Sequence, residues 1–268
     1  MNTILLSQLN NAGELSLTLN RPQKRNAFDA ELIDTLMLAF HQAKQDTQVR
    51  VVILSGTNSI FSSGADLAWM QSMVHFDYER NREDAMQLAR LMRTLYELDK
   101  PTIAKVNGHA FGGAVGLVAC CDIAVAAEQA LFSFSEVRLG LIPAVISPYI
   151  THAIGARQAK KLFLTGERFN TQQALQYGLI HESVAPEALD DCVQSYCQQL
   201  VQGGPHALQE VKALVHAINP IDLTHDEFTA QRIAAIRVAE EGQAGLNAFL
   251  SKRKPPWIKE PENETDEA

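Results

Sequence analysis

Leu15, Leu17 and Leu19 alternate with Glu14, Ser16 and Thr18, which predicts a half-buried strand over 14–19. The period then changes. Leu32, Ile33, Leu36, Met37 and Phe40 recur at helical spacing over 29–44, with Asp29 placed as N-cap. Val49 to Leu54 is a nearly unbroken β-branched run ending at Ser55-Gly56, which predicts a strand buried on both faces of a parallel sheet. A helix over about 78–98 follows, with Ala85, Leu88, Ala89, Met92, Leu95 and Leu98 on one stripe. Strands are predicted at Thr102–Val106, Ile123–Ala126 and Leu131–Ser135, the last ending at Glu136, with a helix of small residues before the second. Strands alternate with helices to about residue 135, an α/β signature. Beyond residue 148 strands nearly vanish, and helical patterns cover 156–164, 171–177, 186–201, 204–217 and 223–250. We divide the 268 residues into an α/β core over 1–200 and a C-terminal helical region over 201–268.

Composition adds exclusions. The chain is 46% hydrophobic and 20% charged with net charge −8, so it is an ordinary globular chain in which nucleic acid is not expected as a partner. Five acids and no base in Glu260–Ala268 predict a solvated tail. The start lacks the basic and apolar regions of a secretory signal, and the longest apolar stretch, Ala110–Cys121, is too short to span a bilayer. Cys120, Cys121, Cys192 and Cys197 form no C-x-x-C pair. They are expected as free core residues in a cytoplasmic protein that binds no metal.

Familiar catalytic motifs do not fit. Asn107–Gly116 has neither G-x-G-x-x-G spacing nor the Gly-Lys of a phosphate loop, and there is no G-x-S-x-G. His181-Glu182 lacks a second metal-spaced histidine, and His109 and His152 are read as surface or satisfied groups. Two glycine turns stand out instead. Ser62-Ser63-Gly64-Ala65-Asp66 and Gly112-Gly113-Ala114 each follow a strand and open a helix, so each offers backbone N–H groups with no intrahelical partner. Two such groups meeting at one oxygen make an oxyanion hole.

Phe61–Leu67, Lys100–Gly108, Gly112-Gly113, Cys121–Ile123 and Phe132–Pro143 resemble, in order, the motifs of the enoyl-CoA hydratase/isomerase (crotonase) superfamily. Asn20-Arg21-Pro22, Arg25-Asn26-Ala27 and Lys252–Pro255 extend the resemblance along the chain. It implies a spiral of ββα turns and a helical C-terminal region that forms trimers or hexamers. The implied ligand is an acyl-CoA thioester, with coenzyme A entering as part of the substrate and no tightly bound cofactor. By match to the motifs, the N–H groups of Ala65 and Gly113 hold the thioester oxygen and Glu136 is the acid/base. The implied substrate-binding set is Lys24, Arg25, Ala27, Ser63, Gly64, Asp66, Leu67, Gly112, Gly116, Arg138, Pro143, Lys252 and Lys254. Lys24-Arg25 and Lys252-Arg253-Lys254 are the basic clusters available to an anionic ligand.

One departure matters. Hydratases of this superfamily typically carry a second glutamate, which here falls on Gly116. The wording Glu136–Tyr149, with Ala144-Val145-Ile146 where glycines are usual, resembles a bacterial branch of methylglutaconyl-CoA or isohexenylglutaconyl-CoA hydratases of leucine and acyclic terpene breakdown. Such substrates carry a distal carboxylate, for which Arg138 or His152 is the expected partner. The expected activity is hydration of a 2-enoyl-CoA. The alternatives are an enoyl-CoA isomerase and a non-catalytic CoA-binding scaffold.

Overall fold

A computed structural model describes residues 3–222 and 224–258. β1 (Leu5–Leu9) and β2 (Glu14–Leu19) form an antiparallel hairpin. α1 (Ala30–Gln45) leads to β3 (Val51–Gly56) and β4 (Ile60–Ser62). After α2 (Leu67–Met73) and α3 (Tyr78–Tyr96) the pattern repeats with β5 (Thr102–Val106), β6 (His109–Phe111) and α4 (Gly113–Cys120). It repeats again with β7 (Ile123–Ala127), β8 (Leu131–Ser133), a 3-10 turn at Glu136–Leu139, and the helices α5 (Ser147–Ile154) and α6 (Ala156–Thr165). β9 (Arg168–Asn170), α7 (Thr171–Tyr177) and β10 (Glu182–Val184) complete the sheets. α8 (Leu189–Gln202), α9 (Pro205–Ile218), α10 (Thr224–Val238) and α11 (Glu240–Leu250) follow.

The larger sheet runs β1-β2-β3-β5-β7-β10 and the smaller β4-β6-β8-β9. From β2 onward every pair in the larger sheet is parallel, as are β4-β6 and β6-β8. The three middle turns, β3–β4, β5–β6 and β7–β8, each lay one strand in each sheet before the chain turns into a helix, the spiral of ββα turns expected from the motifs. The unbroken apolar run of β3 has a direct cause. Val52 and Leu54 pack into the main core with Leu32, Leu36 and Phe40 of α1, while Val51 and Ile53 face Leu189, Val193 and Cys197 of α8. Both faces of the strand are covered, so no polar alternation survives.

The predicted helices and long strands are present, with Asp29 capping α1 through the Leu32 N–H at 3.0 Å. Five readings are corrected. β4 and β6 were not foreseen, because three residues are too few to display a period of two. The strand predicted over Leu131–Ser135 ends at Ser133. The helical pattern over 223–250 is two helices, broken where Ala239 turns extended (φ −70°, ψ 155°). Glu14, read as a polar position of a half-buried strand, is buried, its carboxylate held by Asn10 at 2.7 Å and Gln194 at 2.9 Å. The four cysteines are free; Cys120 and Cys197 are buried, while Cys121 and Cys192 are half-buried rather than core. The acidic tail falls outside the described residues. No helix among the described residues is long and apolar enough to cross a membrane.

α10 is tied to α3 by Arg93–Asp226 at 2.6 Å, Arg82–Glu227 at 3.0 Å and Arg237–Asp84 at 2.9 Å. At the other end of the core, Asn26 is fully buried with φ +55°. Its amide donates to the Thr57 and Ile60 carbonyls at 3.1 and 2.9 Å, and its oxygen accepts from the Arg21 N–H at 2.9 Å. It pins the 21–27 loop to the β3–β4 turn. Asn26→Ala strands these buried groups and should cost about 2–4 kcal/mol, read as a lower urea midpoint at unchanged m-value.

Candidate active site

Phe28 organises the site. Its N–H donates to the Gly64 carbonyl and its carbonyl accepts from the Asp66 N–H, both at 2.7 Å, a one-residue parallel bridge to Ala65. In such a bridge the flanking residues make the bonds, so the N–H of Ala65 points to the other side. It has no hydrogen-bond partner among the described residues. Gly64 takes φ +87°, and a Cβ there would sit 2.9 Å from the Phe111 carbonyl oxygen. The first turn is therefore packed backbone against backbone on the second. Gly112 (φ +53°) donates to the Ser133 carbonyl at 2.9 Å and opens α4. Gly113, the first residue of that helix, stands beside the Phe28 ring, and its N–H likewise has no partner among the described residues.

These turns border a cavity of about 770 Å³. Lys24, Arg25, Ala27, Ser63, Gly64 and Ala65 line it, as do Asp66, Leu67, Gly112, Gly113, Glu136 and Pro143. Two carboxyl groups reach it, in opposite environments. Burial pushes Asp66 up, but hydrogen bonds from Lys24 and the Trp69 and Ala68 N–H groups outweigh it and leave Asp66 below its ordinary value. Asp66 is thus an ionised cap of α2, paired with Lys24 at 2.9 Å. The Glu136 carboxyl lies against Gly112, where a Cβ would come within 3.1 Å of Oε1. The residue is half-buried, but its Oε2 is buried without a hydrogen-bond partner. Burial with no neighbouring cation pushes its pKa up to about 7.

Four residues of the expected set do not line the cavity. Gly116 is buried behind Ile146; a Cβ there would lie 2.3 Å from Ile146 Cγ2, so the bulkier residue fills the space a side chain at 116 would need. Arg138 is exposed and lies against Gly166 at the end of α6. His152 contacts Asn219 at 3.3 Å and also lies outside the lining. The expectation that one of these two meets a distal carboxylate is therefore corrected. Lys252 and Lys254 are exposed, and the lining from their segment ends at Phe249. Sequence reasoning missed the wall made by Trp69, Met70 and Met73 of α2, Leu88 of α3, Ile233 and Arg237 of α10, and Leu246 of α11. Helical periodicity marks such residues as buried but does not distinguish a core from a cavity wall. Among the described residues no cluster of His, Cys, Asp or Glu could hold a metal ion.

Comparison with known proteins gives the class. The family model "Enoyl-CoA hydratase/isomerase" matches residues 10–260, and the chain belongs to that family, the crotonase superfamily. A 2,3-dehydroadipyl-CoA hydratase of Escherichia coli is 31% identical over 245 residues, 91% of this chain and 94% of that protein. Among solved structures, an enoyl-CoA hydratase from Shewanella pealeana is 44% identical with a TM-score of 0.79, covering 95% of this chain and 96% of its own. Another from Mycobacterium avium is 34% identical with a TM-score of 0.86, covering 96% and 100%.

The Glu136 shift has a thermodynamic consequence. A carboxyl whose pKa is raised on folding keeps its proton while the unfolded chain ionises. Stability is therefore lost as pH rises from the ordinary glutamate value, 4.5, to about 7. Glu136→Gln removes that loss, so its stability relative to the parent should rise by about 1–3 kcal/mol between pH 4.5 and pH 8, measured by urea unfolding at each pH.

Proposed function

We propose that this chain adds water across the C2–C3 double bond of a 2-enoyl-CoA thioester, with Glu136 as the single acid/base. The reading is supported by the Ala65 and Gly113 N–H groups, which have no partner among the described residues and belong to residues lining the same cavity as Glu136. The N–H groups of Ala65 and Gly113 donate to the thioester oxygen. They bind it more tightly once attack at C3 drives negative charge onto it, which is differential stabilisation of the transition state. The Glu136 carboxylate takes one proton from water as the water oxygen bonds to C3. It then returns that proton to C2 as the enolate collapses, which regenerates the carboxylate. A pKa near neutrality suits both halves of this exchange. Lys24 and Arg25 at the cavity supply positive charge for the anionic CoA moiety, although Lys24 already shares its charge with Asp66.

The acyl group belongs to the methylglutaconyl or isohexenylglutaconyl class on the strength of the Glu136–Tyr149 wording. Ala144, Val145 and Ile146 all line the cavity and narrow it where glycine would leave room. The absence of a carboxyl at 116, with Ile146 in its place, supports a second reading. One glutamate also suffices to move a proton between C2 and C4, as an isomerase does. The assembly proposed is a trimer or a hexamer. Its support is the exposed apolar row Val211, Leu214, Val215 and Ile218 on α9, a face another copy of the chain would cover.

Incubation with crotonyl-CoA should yield the 3-hydroxyacyl-CoA, with kcat/KM rising through an inflection near pH 7. Glu136→Gln should lower turnover by about 100-fold or more, and unchanged turnover would remove Glu136 from the reaction. Conversion of 3-enoyl-CoA to 2-enoyl-CoA without hydration would replace the hydratase reading by the isomerase. Sedimentation equilibrium should give three or six times the 29.5 kDa chain mass; a monomer would leave the α9 face without its proposed cover.

A further inference from the structure

The cavity wall away from the glycine turns is apolar, built by Met70, Met73, Leu88 and Leu246, with one ion set into it. Arg237, one turn beyond Ile233 on α10, lines the cavity with its side chain only 12% exposed. Its Nη1 donates to Asp84 Oδ2 at 2.9 Å, while its Nε is buried without a partner. Asp84 also accepts from Trp69, another residue of this wall. A wall meant only for a hydrocarbon chain needs no guanidinium, because a charge set among apolar side chains is costly without anionic partners. The guanidinium is a permanent charge with a planar fork of donors. Asp84 takes the Nη1 donor, which leaves the rest of the fork unassigned. The other cavity cations, Lys24 and Arg25, lie on the 21–27 loop, on the side assigned to the CoA moiety.

We propose that Arg237, oriented by Asp84, is the specificity residue that receives a terminal carboxylate on the acyl chain. The inference rests on the thioester reading of the cavity and names its substrate class, an enoyl-CoA with an anionic far end. Isothermal titration of the intact protein with two unreactive esters of equal carbon number, glutaryl-CoA and pentanoyl-CoA, tests it. They differ in a terminal carboxylate against a methyl group. Glutaryl-CoA should bind at least about tenfold tighter, the range of one charge-assisted hydrogen bond. Arg237→Met should abolish the preference, and Arg237→Lys, which keeps the charge without the fork, should retain part of it. Equal affinities, or tighter binding of pentanoyl-CoA, would overturn the inference while leaving the thioester reading intact. Binding of neither ester would overturn both. A preference that survives in Arg237→Met would assign the carboxylate to another group. If Arg237→Met does not fold, the parent's ratio together with Arg237→Lys decides the matter.

Discussion

Two backbone turns can lie against each other only where no side chain stands between them. Gly64 meets that condition against the Phe111 carbonyl, so the turn carrying Ala65 packs backbone to backbone on the turn before Gly113. Each turn is anchored from behind by a different sheet interaction. Phe28 bridges the first turn through its backbone, and the Ser133 carbonyl holds the second through Gly112. On the proposed reading the two donors are set before any ligand arrives, which is what makes backbone N–H groups effective toward a charge that exists only briefly. The buried Asn26 network and the ββα spiral serve this same placement, since they fix the loops that carry Phe28 and Gly64.

Around that pair the protein divides two carboxyl groups by environment. Asp66 receives two helix N–H groups and a lysine and stays ionised as a structural cap. Glu136, a few ångströms from Gly112, receives only its own backbone N–H, keeps Oε2 without a partner, and is pushed up by burial. The same chemical group is stabilised as an anion in one place and pushed toward its neutral form by burial in the other. The Asp84–Arg237 pair is an intermediate case, an ion pair facing a cavity with one donor unused.

Much of this was legible in the sequence, for specific reasons. The continuous run at Val51–Leu54 announced a strand covered on both faces, and α1 and α8 cover it. Glycines at two strand-to-helix junctions announced the turns, and the ordered motifs placed Glu136 beside them. Three-residue strands such as β4 and β6 carry no readable period, so the second sheet was invisible. The replacement of a side chain at Gly116 by Ile146 was hidden because the two residues are thirty positions apart. Arg237 is not singled out by the sequence because α10 carries little amphipathic pattern, and only the packing of α10 on α3 sets that side chain at the cavity. Arg138, which lies in the motif itself, faces outward instead.

The most direct test is infrared difference spectroscopy of butyryl-CoA labelled with carbon-13 at the thioester carbonyl, bound to the protein. Two preset N–H donors on that oxygen should move the carbonyl stretch to lower wavenumber than in free butyryl-CoA. A bound ester whose carbonyl band coincides with that of the free ester would contradict the account, because the turns at Ala65 and Gly113 would then not be holding its oxygen.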